Sequence, residues 1–246
     1  MVLMHNADQM SLPWFKQLER GVCEGEPPFR LENGVELFEY LDRHPDFDKL
    51  FSDAMDSVEA LTGDSFATDF DWSRFDRIID VGGSRGSKSL AIQKRHPRLE
   101  VLVVDRPQVV EEARRYWKAR GGVERLDFAP GDLLQEVPPA RGSGDIYLLS
   151  AVLHSLDDDT AAAALRNVAA ACGDSGAHVA VMEMIAPETN VDAATAAFDM
   201  QMFVGTRGRE RTLSEWRALF ERGGLQLDEV VALRSFASIL VASRAT

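Results

Sequence analysis

A glycine-rich loop and three carboxylates are the residues whose types and spacing first suggest chemistry. Residues 80–86 read DVGGSRG, follow a predicted strand and precede a predicted helix. Glycines at such a turn let the backbone approach a ligand closely. Asp105 ends the next predicted strand and Asp132 follows the third, at the sheet edge where carboxylates accept hydrogen bonds from ribose hydroxyls. The pattern predicts a nucleoside pocket without a phosphate site, in which Asp80 suits a cationic or amino-bearing ligand.

Two other interpretations of the glycine loop stay open. A dinucleotide-binding fingerprint requires a glycine at position 84, where this chain has Ser84, and Asp80 would repel a pyrophosphate. The simpler alternative is that Gly82 and Gly83 only make a tight turn. The acids at the ends of neighbouring strands favour the nucleoside pocket over both.

A histidine and two glutamates form the second candidate group. His154 follows a predicted strand, Glu183 lies at the end of another, and Glu210 belongs to the charged segment 207–211. A histidine can accept a proton near neutral pH, and a carboxylate on its other ring nitrogen fixes the tautomer and stabilises the imidazolium. A structural role for His154 and a solvated loop around Glu210 are the alternatives that the residues leave open.

The segment that precedes Glu210 carries residues suited to a small-molecule acceptor. We predict acceptor contacts for Asp199, Gln201 and Met202. Neighbouring apolar residues could line an aromatic pocket, although side chains of this kind usually belong to the core. They are Met182, Met184, Met200 and Phe203.

Hydrophobic periodicity divides the chain into two parts. Up to about residue 70, apolar residues recur at helical spacing. From residue 71, short apolar runs alternate with helical patterns, as expected of a parallel sheet that is covered on both faces. The predicted strands cover residues 77–81, 99–105, 126–129, 146–152, 178–184, 225–233 and 237–243. The last two are so close together that they can only pair antiparallel.

These elements predict an α/β fold. We expect a Rossmann-like, doubly wound, mostly parallel sheet of seven strands with a C-terminal antiparallel hairpin, preceded by a helical N-terminal extension. The extension is predicted to cover residues 1–70, and the ligand-binding domain residues 71–246. Thr212 and Glu215 predict a capping box at the start of a late helix.

Charge and composition argue against several classes of partner. The chain has 246 residues, with 40 acidic and 27 basic side chains and a formal net charge of −13. A field of that sign repels phosphate backbones and anionic lipid, so we expect neither nucleic acid nor a membrane surface as partner. Cys23 and Cys172 form no metal-binding pattern. We find no secretory signal and no apolar stretch long enough to span a bilayer, and therefore expect a cytoplasmic protein.

The glycine loop resembles motif I of class I S-adenosylmethionine-dependent methyltransferases. The chain from about residue 34 to residue 243 is similar to the catalytic part of small-molecule O-methyltransferases, which include plant caffeate and flavonoid enzymes and bacterial polyketide- and antibiotic-tailoring enzymes. Motif I alone is weakly specific, whereas the ordered set of segments is strongly so. The other matching segments are residues 51–55 (FSDAM), 105–110 (DRPQVV), 131–132 (GD), 152–158 (VLHSLDD), 181–183 (VME) and 208–212 (GRERT).

This resemblance implies S-adenosyl-L-methionine as the cofactor, S-adenosyl-L-homocysteine as its product, and no metal. Gly82 and Gly83 would wrap the methionine moiety, and Asp105 would bind the ribose hydroxyls. Asp132 and Leu133 would contact the adenine. The remaining residues that we expect to bind the cofactor are Asp80, Arg106 and Ser150.

The resemblance also implies the reaction and its catalytic group. His154 would be the general base, with Glu183 and Glu210 holding its imidazole. We therefore expect an enzyme that transfers a methyl group to a hydroxyl of an aromatic or polyketide-like molecule in secondary metabolism, such as antibiotic biosynthesis.

This sequence departs from the family in four ways. Ser155 and Leu156 replace the usual Asp and Trp after the histidine, Ser150 replaces a basic residue, and Ser84 replaces a third glycine. The chain is also expected to lack the N-terminal winged-helix dimerisation domain of full-length relatives and to keep the connecting helices as an acceptor-side lid. We expect the apolar residues of this extension to seek either a second copy or a separate chain. They are Trp14, Phe15, Phe29, Phe38 and Phe51.

Three further functions remain as alternatives. The altered residues after His154 are compatible with a relative that uses bound S-adenosylmethionine for hydroxylation, decarboxylation or cyclisation. The chain could also be a partner-dependent subunit of a heteromeric methyltransferase. A nicotinamide-dependent dehydrogenase is the alternative that the glycine loop supports least.

Overall fold

The computed structural model describes residues 2–245, with the side chains of residue 2 and of residues 58–62 outside the description. Residues 1 and 246, the outer ends of the two predicted parts, also lie outside it. Within the described chain no helix combines the length and the apolar character that crossing a bilayer requires.

The first part of the chain is helical, as the periodicity predicts. A small core of its own holds these helices together, formed by Met4, Met10, Phe29, Leu37, Leu41, Phe47 and Ala54. The helices are α1 (Val2–Asn6), α2 (Asp8–Leu12), a π-helical turn (Pro13–Gln17), α3 (Leu18–Glu24), α4 (Pro28–Asn33), α5 (Leu37–Arg43), α6 (Pro45–Thr62) and α7 (Ser65–Thr68). A 3₁₀ turn, Trp72–Arg74, leads into the first strand, and the indole of Trp72 donates to the carbonyl of Phe66 at 2.7 Å.

The second part is built on one twisted sheet. Its main path has seven strands in the order β3-β2-β1-β4-β5-β8-β7, and β1 to β5 run parallel. The strands are β1 (Arg77–Val81), β2 (Glu100–Asp105), β3 (Leu126–Pro130), β4 (Asp145–Ser150), β5 (His178–Ala186), β6 (Arg211–Thr212), β7 (Leu225–Ala232) and β8 (Ala237–Arg244). The hairpin β7–β8 is antiparallel, which confirms the predicted fold. The two-residue β6, which pairs with the end of β5, was not predicted.

Helices cover both faces of the sheet, so the strands are buried. They are α8 (Ser87–Arg95), α9 (Pro107–Lys118), α10 (Asp158–Cys172) and α12 (Leu213–Arg222). Helix α11 (Ala193–Gly205) packs instead against α4 of the N-terminal part. All five residues of β1 are buried. Thr212 and Glu215 form the predicted capping box at the start of α12. The methionines Met182 and Met184 are core residues, at 4% and 8% exposure.

The order in which strands join the sheet reverses between β1 and β4, because β2 and β3 lie on one side of β1 while β4 and β5 lie on the other. In open α/β sheets the crevice at such a point is where ligands bind. Strand β4 ends at Ser150, earlier than predicted, because Ala151 adopts a left-handed backbone with φ of 54°. This turn leads the chain into a 3₁₀ turn, Leu153–Ser155, which carries His154 to the same edge.

Candidate active site

The glycine loop follows β1 at the point where the strand order reverses, and it packs closely against neighbouring residues. Gly82 has φ of 76°, and a Cβ atom on it would lie 2.8 Å from Cγ2 of Val152. A Cβ atom on Gly83 would overlap the carboxylate of Asp80. Asp80 also accepts a hydrogen bond from the hydroxyl of Ser89. The two glycines therefore keep the loop tight against the carboxylate at the end of β1.

Asp105 is fixed by two backbone amides of the neighbouring loops. Its Oδ2 accepts from the amide of Ser84 at 2.8 Å, and its Oδ1 accepts from the amide of Arg106 at 2.7 Å. Burial raises the pKa of Asp105 above its usual range, and the two amide hydrogen bonds only partly offset this. Ser84 adopts φ of 53°, so a serine here takes the left-handed backbone that glycine more readily supplies. Each oxygen of Asp105 still has a lone pair for a ligand hydroxyl.

Asp132 and Leu133 lie after β3 in a turn that Asp132 itself stabilises. Its carboxylate accepts from the amide of Leu134 at 2.9 Å and from the side-chain amide of Gln135 at 2.7 Å. Leu133 packs against the main core, and its carbonyl accepts from Asn167 at 2.9 Å. The predicted contacts of Asp132 and Leu133 with an adenine stay predictions.

The side chain of Arg106 turns toward the N-terminal helices. It forms ion pairs with Asp42 and, at 3.4 Å, with Asp48. Asp48 is unusual, because its burial and the negative charges of Glu112 and Asp105 raise its pKa to about 6. A direct contact of Arg106 with a cofactor stays a prediction, while its ion pairs connect the end of β2 to α5 and α6.

Arg85, within the glycine loop, makes a second connection to α6 that the sequence did not suggest. Its side chain is buried, and its guanidinium lies 2.9 Å from Asp53, 2.7 Å from Asp56 and 2.8 Å from Glu112. Because two loops of the predicted cofactor crevice hold α6 by ion pairs, the N-terminal helices stand beside that crevice.

His154 lies between the two glutamates that were predicted to hold it. Its Nδ1 is 2.9 Å from Oε1 of Glu210 and 3.5 Å from Oε2 of Glu183. The other oxygen of Glu183 accepts from the amides of Val152 and Leu153, both at 3.0 Å. Glu183 thus fixes the turn that carries the histidine as well as facing its ring. With Nδ1 directed at the glutamates, Nε2 is the nitrogen that can meet a substrate.

The two glutamates determine the charge of His154. Burial by itself lowers the pKa of this histidine, but the negative charges of Glu183 and Glu210 outweigh burial and raise the pKa to about 9. Burial also raises the pKa of Glu183. The imidazole is therefore a stronger base than an exposed histidine.

Two residues that sequence reasoning did not single out hold the histidine turn. Arg211 is fully buried, and its guanidinium donates to the carbonyls of Leu153 and Leu156 at 2.9 and 2.7 Å and to Asp158 at 2.9 Å. Gly208 packs so closely on the turn that a Cβ atom would overlap the carbonyl oxygen of His154. Both residues belong to the charged segment 207–211, and its charges are equally compatible with a solvated loop, so the sequence did not indicate their role.

The three predicted acceptor residues lie together on α11. Asp199 accepts from the amide of Glu210 at 2.9 Å, so it positions that glutamate. Gln201 and Met202 are half-buried, and the carbonyl of Met202 accepts from Thr206. Direct contact of these three residues with an acceptor stays a prediction.

Ser150 lies at the end of β4 and meets a lysine from another element. Its hydroxyl accepts from Nζ of Lys88, in the first turn of α8, at 2.6 Å. The residue that stands where the family has a basic side chain is thus in contact with a cation.

Known proteins are similar to this chain in sequence and in fold. A model of the O-methyltransferase domain matches residues 15–226. A mitomycin biosynthesis 6-O-methyltransferase of Streptomyces lavendulae is 32% identical over 220 residues, which are 88% of this chain and 62% of that protein. The present chain therefore spans less than two thirds of that relative's length.

Two solved structures are similar over nearly the whole chain. A mitomycin 7-O-methyltransferase has a TM-score of 0.90 at 31% identity, covering 98% of this chain and 70% of its own. The neocarzinostatin O-methyltransferase, in complex with S-adenosyl-L-homocysteine and 1,4-dihydroxy-2-naphthoic acid, has a TM-score of 0.85 at 27% identity, covering 96% and 70%. With the ordered motifs, the sheet order and the match over residues 15–226, this chain belongs to the O-methyltransferase domain family.

Proposed function

We propose that this chain is an S-adenosyl-L-methionine-dependent O-methyltransferase that modifies a hydroxyl of an aromatic or polyketide-like small molecule in secondary metabolism. The observation that carries the proposal is the histidine with Nδ1 held by two buried glutamates, beside a glycine-loop crevice that offers two carboxylates. The neocarzinostatin relative, with its bound naphthoic acid, supports an aromatic acceptor.

The crevice suits the cofactor by its chemistry. S-adenosyl-L-methionine supplies a methyl group on a positively charged sulfur, together with an α-amino acid and an adenosine. Gly82 and Gly83 would border the methionine, Asp80 would bind its ammonium, and Asp105 would accept from the ribose. Adenine contacts are assigned to Asp132 and Leu133. The excess of carboxylates in the crevice favours a cationic ligand.

The reaction needs a proton acceptor, and His154 supplies one. As the acceptor oxygen takes the methyl group, its proton passes to Nε2 of His154, and Glu183 and Glu210 stabilise the imidazolium that forms. General-base assistance of this kind contributes about 10²–10⁴-fold to a rate. Asp199 and Arg211 hold Glu210 and the histidine turn in place, so the imidazole is oriented before the substrate binds.

We assign residues 1–70 as an acceptor-side lid over the cofactor-binding domain, residues 71–246. The ion pairs of Arg85 and Arg106 with α5 and α6 support this position of the N-terminal helices beside the crevice. Acceptor contacts are assigned to Asp199, Gln201 and Met202 on α11.

Two measurements on the chain test the proposed function. Calorimetric titration should show that S-adenosyl-L-homocysteine binds. Mass spectrometry with 1,4-dihydroxy-2-naphthoic acid as the first probe, followed by other aromatic hydroxyl compounds, should detect a methylated product and S-adenosyl-L-homocysteine. If S-adenosyl-L-homocysteine does not bind, the proposal is refuted. Turnover of S-adenosyl-L-methionine to a product without an added methyl group would favour hydroxylation, decarboxylation or cyclisation.

The raised pKa of His154 predicts how turnover depends on pH and how the bound cofactor changes that pKa. Because the histidine accepts a proton only when neutral, turnover should increase as pH rises toward the histidine's pKa. In the cofactor-free chain, NMR of isotope-labelled histidine should give a pKa of about 9, assigned through His154→Gln. The sulfonium charge should make this pKa lower with S-adenosyl-L-methionine than with S-adenosyl-L-homocysteine. An apo value near that of an exposed histidine would contradict the geometry.

Exposed apolar side chains on the N-terminal helices predict self-association or a partner chain. Leu3, Phe15 and Val22 are 75%, 86% and 63% exposed. Of the residues expected on this face, Phe29 is instead fully buried in the helical core. We propose that the exposed set packs against a second copy or another chain. Light scattering should detect a dimer, or activity should rise when the partner is added. A monodisperse, fully active monomer would contradict this prediction.

A further inference from the structure

Lys88 brings a positive charge to the crevice between β1 and β4. It lies in the first turn of α8, directly after the glycine loop, and its side chain is half-buried. Its Nζ donates to the hydroxyl of Ser150 at 2.6 Å and lies 5.7 Å from the ring centre of Phe66. Ser150 is the last residue of β4. The lysine therefore reaches across from the loop side of the crevice to the strand side.

Asp80 supplies the opposite charge at the same edge of the sheet. It is paired in register with Leu148 of β4, so Ser150 lies two residues further along, roughly 7 Å in the strand direction. Asp80 is itself buried, and its carboxylate faces Gly83. An acid and a lysine at this one edge of the sheet carry the charges opposite to those of the ammonium and carboxylate of an α-amino acid.

We propose that Lys88, oriented by Ser150, binds the α-carboxylate of the cofactor's methionine moiety while Asp80 binds its α-ammonium. This inference rests on the proposed function and names a residue that it does not include. The family's basic residue on β4 is Ser150 in this chain, and Lys88 supplies the charge from the helix that follows the glycine loop. With serine at position 150, the positive group of the crevice comes from α8 and not from β4.

The test compares two ligands that share the adenosine and thioether but differ in the amino acid. S-adenosyl-L-homocysteine has both the α-carboxylate and the α-ammonium, and 5′-methylthioadenosine has neither. Calorimetry should show that Lys88→Met raises the Kd of S-adenosyl-L-homocysteine at least about tenfold, because a charge-assisted hydrogen bond is lost. The Kd of 5′-methylthioadenosine should stay within about twofold. Lys94→Met, which removes an exposed lysine from the same helix, is the matched control and should change neither value.

A second variant returns the cation to the strand. Lys88→Met combined with Ser150→Lys should recover most of the lost affinity for S-adenosyl-L-homocysteine. If Lys88→Met leaves the Kd of S-adenosyl-L-homocysteine unchanged, the inference is overturned and the proposed function stands. An equal loss of affinity for both ligands would indicate a general effect on the fold, and it would also overturn the inference without affecting the proposed function. If the unaltered chain does not bind S-adenosyl-L-homocysteine, the proposed function itself fails.

Discussion

His154→Ala is expected to lower turnover by about 10²–10⁴-fold, the usual contribution of a general base. The variant removes the group that takes the acceptor's proton, while the crevice at the ends of β1 and β2 is built from other residues. The Kd of S-adenosyl-L-homocysteine should therefore stay within about twofold of its original value. Turnover measured at saturating substrate, together with calorimetry, separates the two effects.

Asp105→Ala is the matched comparison for His154→Ala, because it should do the reverse. Its carboxylate is assigned to the ribose hydroxyls and lies at the end of β2, whereas His154 lies in the 3₁₀ turn after β4. This variant should weaken S-adenosyl-L-homocysteine binding and leave turnover at saturating cofactor much less affected. If His154→Ala kept the original turnover across the pH range, proximity of the two reactants alone would drive transfer, and the role assigned to the histidine would be wrong.

The cofactor edge of the fold was predictable from sequence for a physical reason. The carboxyl ends of parallel strands meet at one edge, so Asp80 and Asp105 could be placed together from the strand pattern alone. The predicted contacts of His154 with Glu183 and Glu210 came from the family resemblance. The structure brings these three side chains together at 2.9 and 3.5 Å.

The supports of the site were not predictable, because they depend on contacts between distant segments. Arg85 binds carboxylates about thirty residues away on α6, and Arg211 binds carbonyls more than fifty residues away. Neither contact leaves a local pattern. Helix α11 was missed for another reason: in Ala193–Gly205 the apolar residues occur on all sides, so no helical period is visible.

The side chain of Arg106 illustrates the limit of motif transfer. Its backbone amide donates a hydrogen bond to Asp105, and this contact does not depend on the side chain at position 106. Its guanidinium, however, pairs with Asp42 and Asp48 of the N-terminal helices. The partner of a side chain depends on the elements that pack above it, and in this chain those elements are α5 and α6.

Gly208→Ala is expected to lower turnover by at least about 10²-fold, although residue 208 carries no reacting group. A Cβ atom there would overlap the carbonyl oxygen of His154 and lie 2.6 Å from its carbonyl carbon. The neighbour is backbone, so the overlap can be relieved only by moving the histidine turn or the segment that carries Glu210. Misplacement of a catalytic group by about 1 Å can cost about 10²-fold. The overpacking should also cost about 1–3 kcal/mol of stability.

Gly205→Ala is the matched control for Gly208→Ala, because a Cβ atom at residue 205 would meet only Leu37 at an ordinary 3.8 Å. It should leave turnover and the melting temperature close to their original values. In folded Gly208→Ala, confirmed by circular dichroism, the pKa of His154 should fall, since the approach of Glu210 to Nδ1 is disturbed, while the Kd of S-adenosyl-L-homocysteine stays within about twofold. Unchanged turnover together with an unchanged histidine pKa would show that the turn tolerates a side chain at position 208. The close backbone approach would then not be what orients the base.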